Sequence, residues 1–199
     1  MYALVEDGSL SKLITNPKAM VIGDVRYPAK IFQLWSQSEK ESIGIYEIVV
    51  DKTNYKDPEY YNNTDSSYSF ADGQVTESWG TATAKELEDR NATDKDGVEL
   101  DPIVVIDGLK TDKKRIIKQQ ASGLLEKTDW HNHKALDDET YTIPDNIKTY
   151  RANVRAKSNE MESQIDACTN VDELKALYEY TRQEDGTQTR PLAEFPKEI

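Results

Sequence analysis

Short alternating or β-branched runs fill the first eighty residues, and apolar stripes at helical spacing fill the last ninety. Tyr2-Ala3-Leu4-Val5 is an apolar run closed by Asp7-Gly8, a pair that favours a hairpin turn. Ile43 to Val50 is rich in β-branched residues and predicts a strand. Between these runs Tyr27-Pro28 breaks the chain, and Ile31, Phe32, Leu34 and Trp35 predict a short helical turn or loop packed on a sheet. Residues 51–67 are polar and read as a long loop whose tyrosines, Tyr55, Tyr60 and Tyr61, pack or face a partner. Tyr68 to Phe70, the turn Asp72-Gly73 and Val75 to Trp79 predict a second hairpin, with Val75, Glu77 and Trp79 on one face.

From 81 to 101 the composition turns polar and charged, with helix-forming residues at Ala84 to Asp89. Ile103-Val104-Val105-Ile106, closed by Asp107-Gly108, adds one short strand. Beyond it the spacing changes to three and four. Thr111 or Asp112 can cap a helix with apolar positions Ile116, Ile117, Ala121, Leu124 and Leu125. A second helix from Pro144 carries Ile147, Tyr150, Val154, Met161, Ile165 and Cys168. A third from Asn170, with Glu173 as capping-box partner, carries Val171, Leu174, Leu177 and Tyr178. The expected fold class is α+β. A small antiparallel β-rich domain covers 1–80, a linker 81–107, a three-helix module 108–182 and an extended tail 183–199.

Composition narrows the function. The 199 residues carry 37 Asp and Glu against 25 Lys and Arg, a net charge of -12. That excess argues against a nucleic-acid backbone as partner, which needs a basic face. Three Trp and eleven Tyr argue against a disordered chain. No apolar run is long enough to span a bilayer, and the opening MYALVEDGSL lacks the basic and apolar regions of a signal peptide. Synthesis in a cytoplasm is the expectation, so the acceptor patterns at Asn62 and Asn91 should stay unmodified. The single cysteine, Cys168, excludes an intramolecular disulfide.

No residue set announces a reaction. His131-Asn132-His133 spells the letters of a metal-dependent nuclease motif, but such a site draws its base and ligands from separated positions. Both histidines of the chain lie within these three residues. They are expected to face solvent in a loop after a helix end; a weak metal site of His131 with Asp137 or Asp138 is the other reading. Asp94-Lys95-Asp96-Gly97 resembles the middle of a calcium loop, yet Ala92 and Ile103 fall where the first and twelfth ligands belong. It predicts a turn. No catalytic, metal or cofactor residue is expected.

The stretch Leu124-Leu125-Glu126-Lys127-Thr128-Asp129-Trp130, followed by Tyr150-Arg151 and Val154-Arg155, resembles a helical module of bacteriophage tail fibre assembly proteins and related tail proteins. There a leucine-rich helix ends in S/T-D-W and a later helix carries Y-R-x-x-L-R. Val154 stands where Leu is usual, and the Pro-Gly-Phe-Pro ending that comes next in that family is missing. The opening YALVEDG and the later GIYEI also resemble phage tail-region proteins that begin Y-A-L-V-E-N-G. Together the two resemblances cover about half of the chain.

The resemblance implies a non-enzymatic virion component of the tail, tail fibre or baseplate region. Its partners would be copies of itself and neighbouring tail proteins, with no nucleic acid, membrane or small-molecule substrate. A tail fibre assembly chaperone absent from the mature particle is the alternative, and a nuclease the remote one. Physically, Trp130 is expected to fold over Leu124 and Leu125 as a lid. Arg151 or Arg155 is expected to pair with Asp129 and set the angle between two helices. Tyr150 shares that helix surface.

Overall fold

Two Asp-Gly pairs set the geometry of the first half. Asp7 and Gly8 have φ of 50° and 74°, and Asp72 and Gly73 have 51° and 74°. Positive φ at both central residues is the turn whose twist matches paired strands. The computed structural model describes Met1–Ile199 and divides into two compact units, Met1–Thr83 and Ala84–Ile199.

In the first unit, β1 (Tyr2–Glu6) and β2 (Ser9–Ile14) form one hairpin, and β3 (Met20–Ile22) and β4 (Val25–Tyr27) a smaller one. Next come α1 (Ile31–Leu34), the capping-box helix α2 (Gln37–Glu41), β5 (Ile45–Asp51) and the two-residue β6 (Tyr61–Asn62). The second Asp-Gly hairpin is β7 (Ser66–Ala71) and β8 (Gln74–Trp79). Five strands make one sheet in the order β2-β1-β5-β8-β7. Its pairs are antiparallel except β5 with β8, which run parallel. The sheet curls until its edge strands β2 and β7 approach each other.

Alternation then buries both faces of β1 and β5. Ala3, Val5, Ile48 and Val75 line the inside of the curl, closed by Leu10, Leu13, Tyr46, Tyr68 and Phe70. Leu4, Ile14 and Ile45 face outward against Ile31 and Phe32 of α1, with Tyr27 and Trp35 beside them. The helical turn read at Ile31–Trp35 is therefore the lid of the outer face. Gly44 enables the join between α2 and β5. Its φ is +83°, and an added Cβ would lie 2.5 Å from the Val5 carbonyl oxygen.

The second unit begins with β9 (Thr83–Ala84), which straddles the boundary, then β10 (Arg90–Asn91) and β11 (Val105–Ile106), paired antiparallel. Four helices come next: α3 (Leu109–Glu126), α4 (Asp129–Asp137), α5 (Asp145–Ala167) and α6 (Val171–Ala176). A final hairpin, β12 (Thr181–Arg182) and β13 (Gln188–Thr189), precedes the C-terminal segment. The α+β class holds, with sheet first and helices after.

Several local expectations change. Ala84 to Asp89 forms no helix, because its polar groups serve α3 instead. Glu86 and Leu87 carbonyls accept from the amides of Leu109 and Lys110, and the Asp89 carboxylate accepts from Gly108 at 2.8 Å. These bonds satisfy amides that a helix start leaves open, so α3 begins at Leu109 and not at a Thr111 or Asp112 cap. The same contact explains Gly108, whose added Cβ would meet the Glu88 backbone at 2.4 Å. The residues read as a linker thus lie largely inside the second unit. Ile116 is 45% exposed although it shares the predicted stripe with Ile117, which is buried. At α6 the Asn170 side chain accepts from Glu173 N as expected, but the Glu173 carboxylate takes the Thr169 amide and hydroxyl. Of the tail expected to be extended over 183–199, the part up to Thr189 folds into the β12–β13 hairpin, and only the remainder is extended, yet docked. Leu192 is fully buried, its amide donates to Leu177, and Phe195 packs on the core of Ala121, Tyr150 and Val154.

Gly44→Ala should destabilise the chain by roughly 1–3 kcal/mol or more, since it combines positive φ with a backbone collision. Gly73→Asn, in an open turn with nothing within 4 Å of its Cβ, should cost only tenths of that. Urea titrations of both variants check the contrast; equal losses would contradict it.

Candidate functional site

The T-D-W sequence sits where α3 ends. Helix C-termini leave carbonyls without the usual intrahelical donors, and the Leu125 carbonyl, which accepts from the Lys127 and Thr128 amides, gains a charged donor from another helix. Arg151, on α5 and buried, donates from Nη1 to the Leu125 carbonyl at 2.8 Å and to Thr128 Oγ1 at 2.7 Å. Its Nη2 pairs with Asp129 Oδ1 at 2.7 Å. Thr128 in turn donates its hydroxyl to Leu125 O at 3.0 Å. One planar guanidinium so binds the last turn of α3, the connecting Thr128 and the first residue of α4. Of the two arginines offered for Asp129, Arg151 makes the pair. Arg155 lies one turn on, exposed, its Nη1 3.5 Å from the Arg151 carbonyl.

The same device operates at the opposite end of the helix pair. Lys110, at the start of α3, donates to the Asp166 carbonyl in the last turn of α5 at 3.0 Å and pairs with Glu88 at 2.5 Å. Lys114 pairs with the Asp166 carboxylate at 2.7 Å, which raises its ammonium above the ordinary lysine range. The helices run antiparallel, and a cation from each caps the C-terminus of the other, where the helix dipole is negative. Between these ends Ala121, Tyr150 and Val154 are buried, with Leu124, Leu125 and Phe195 partly buried on them.

Trp130 does not cover Leu124 and Leu125. The pair with Arg151 draws Asp129 to the start of α4, and the next side chain points outward: Trp130 is 54% exposed. One indole face stacks on the His131 ring, with centroids 3.7 Å apart. His131 is not a solvent-facing loop residue. It is buried on α4, and its Nδ1 shares a hydrogen bond with the Tyr141 hydroxyl. Lys134 lies over the Tyr141 ring at 4.4 Å. His133 is exposed. Asp138 turns to Thr140, whose hydroxyl and amide hold its carboxyl below the usual range. Leu136, also on α4, is 81% exposed. The signal for α4 was present in Asp129 and Lys134, acidic in the first turn and basic in the last, but the T-D-W stop and the HNH letters masked it.

The remaining candidates, in the first unit, diverge. Tyr60 and Tyr61 are buried, and Lys56 lies 4.2 Å over the Tyr61 ring. Tyr55 is half-exposed and stands edge-on to Trp79 with centroids 5.1 Å apart. Asn63 brackets Lys56 through both its amide and its carbonyl. The long loop is held by its own chain, and only Tyr55 of the three tyrosines presents much surface. At residues 94–98 the Asp94 carboxylate accepts from the amides of Asp96 and Val98, as a turn.

No family model matches the chain, and no curated protein or solved structure matches it.

Arg151→Met should cost about 2–4 kcal/mol, because it leaves the Leu125 carbonyl and Thr128 without their charged donor. Asp129→Ala should cost about 1 kcal/mol or less, since that carboxylate is half exposed. Trp130→Ala should cost roughly 1–2 kcal/mol, short of the ~3–5 of a fully buried Trp. Chemical denaturation gives the order; a Trp130 loss exceeding that of Arg151 would contradict the geometry.

Proposed function

We propose that the chain is a non-enzymatic structural component of a bacteriophage virion, in the tail, tail fibre or baseplate region. It acts through protein–protein contacts, with copies of itself and neighbouring tail proteins as partners, and reaches the virion after synthesis in the host cytoplasm. One observation carries the reading. The residues of the T-D-W and Y-R segments, on which the resemblance to tail proteins rests, lie together around Arg151 and leave Trp130 facing outward. A large aromatic stacked on a neighbouring ring and facing outward from a short helix is the kind of residue that anchors an interface. Leu136 on the same helix and the half-exposed Tyr55 are further contact candidates. The acidic surface, net -12, suits solubility at the high local concentration of an assembling particle.

Quantitative mass spectrometry of purified particles of the encoding phage tests this. The expected result is the chain at fixed stoichiometry, and a Trp130→Ala variant that folds but is depleted from particles. Its absence from particles, together with its presence on unassembled fibre proteins, would favour the assembly chaperone. Normal incorporation of Trp130→Ala would remove Trp130 from the interface.

A further inference from the structure

The segment between β10 and α3 exposes apolar side chains in a row. Val98, Leu100, Ile103, Val104, Val105 and Ile106 are between 37% and 63% exposed. Apolar residues scattered singly on a surface need no explanation, whereas a contiguous patch marks a contact. Here six of nine consecutive positions are exposed and apolar, around a sheet of only two short strands.

The backbone of this patch has a usable edge. β10 pairs with β11 through Arg90↔Ile106 and Asn91↔Val105, and Ala92 N donates to Val104 O at 2.7 Å. In an antiparallel ladder, bonded and non-bonded pairs alternate. Since Ala92 and Val104 form a bonded pair, Val105 turns its N–H and C=O away from β10. No strand lies on that side. Native edges are usually blunted with lysine, bulges or cover. This one presents Ile103-Val104-Val105-Ile106 without a lysine among them.

The surroundings specify the occupant. Asp94, Asp96, Glu99 and Asp101 are all exposed on the loop leading into the strand, against the single Lys95. A second copy would bring the same carboxylates against these, and like charges placed across an interface disfavour it. We infer that the outer edge of β11 is a docking site for an extended segment of another protein. That segment adds a strand by main-chain hydrogen bonds, with apolar side chains at alternate positions and lysine or arginine at its ends. The site lies apart from Trp130, and the inference does not rest on the virion reading.

The test uses the full chain and a synthetic probe, Lys-Lys-Val-Thr-Val-Thr-Val-Lys-Lys with blocked ends, beside a version with glutamate for every lysine. Binding is followed by fluorescence anisotropy and by amide chemical shifts. The lysine peptide should bind and shift the amides of residues 103–106. Its affinity should fall with added salt and exceed that of the glutamate peptide by about tenfold or more. Val105→Lys, at an exposed position and verified as folded by circular dichroism, should weaken binding by about tenfold. Val105→Thr, which keeps the backbone edge without adding charge, should retain most of it. The inference is overturned if the lysine peptide does not bind, if both peptides bind equally, or if Val105→Lys binds as wild type does. It is also overturned if sedimentation shows self-association that Val105→Lys abolishes, which would assign the edge to a second copy.

Discussion

A helix that ends inside a protein leaves carbonyls facing no donor, and a buried carbonyl without a partner is costly. At the ends of α3 and α5 a charged side chain reaching across from the neighbouring helix helps to meet that constraint, at Leu125 beside the amides of Lys127 and Thr128. Arg151 supplies the end of α3, and Lys110 supplies the end of α5. Each bond sets where one helix stops against the other, so the pair fixes the register of two antiparallel helices at both ends. The apolar positions between them, Ala121, Tyr150 and Val154, can then interlock without being able to slide. Burying a guanidinium is itself unfavourable. It is tolerated here because Leu125 O, Thr128 Oγ1 and Asp129 Oδ1 all accept from it.

The influence of Arg151 extends to the surface. By holding Asp129 it sets the start of α4, and Trp130 then has its place on the outside, with His131 beneath the indole and Tyr141 bonded to the histidine. His131 therefore supports an aromatic surface. The first unit solves a different problem, a small sheet with two apolar faces. It curls one face inward and covers the other with α1 and neighbouring side chains.

Strands and long helices were legible because their periods are strong. The Asp-Gly pairs marked both hairpins, and the stripes of α3 and α5 keep a spacing of three and four. Three features were not legible, each for a physical reason. α4 has nine residues, and its two large apolar ones, Trp130 and Leu136, are exposed, so no buried apolar stripe marks it. Ala84 to Asp89 has the composition of a helix, but its carbonyls and carboxylates are engaged by the start of α3, a tertiary demand that overrides propensity. The parallel pairing of β5 with β8 joins strands separated by the 51–67 loop and β7, and no local signal encodes it. Of the candidate site, the Asp129–arginine pair could be anticipated from spacing. The outward turn of Trp130 depends on which arginine is buried, and spacing does not tell that.

Arg151 is held to organise both the end of α3 and the whole of α4. Native-state hydrogen exchange on Arg151→Met, compared with the unaltered chain, tests that role most directly. Amides of residues 129–137 and of the last turn of α3 should lose protection together, while those around Val154 and Met161 in α5, and those of β5, keep theirs. Unchanged protection across α4 would contradict the role given to Arg151.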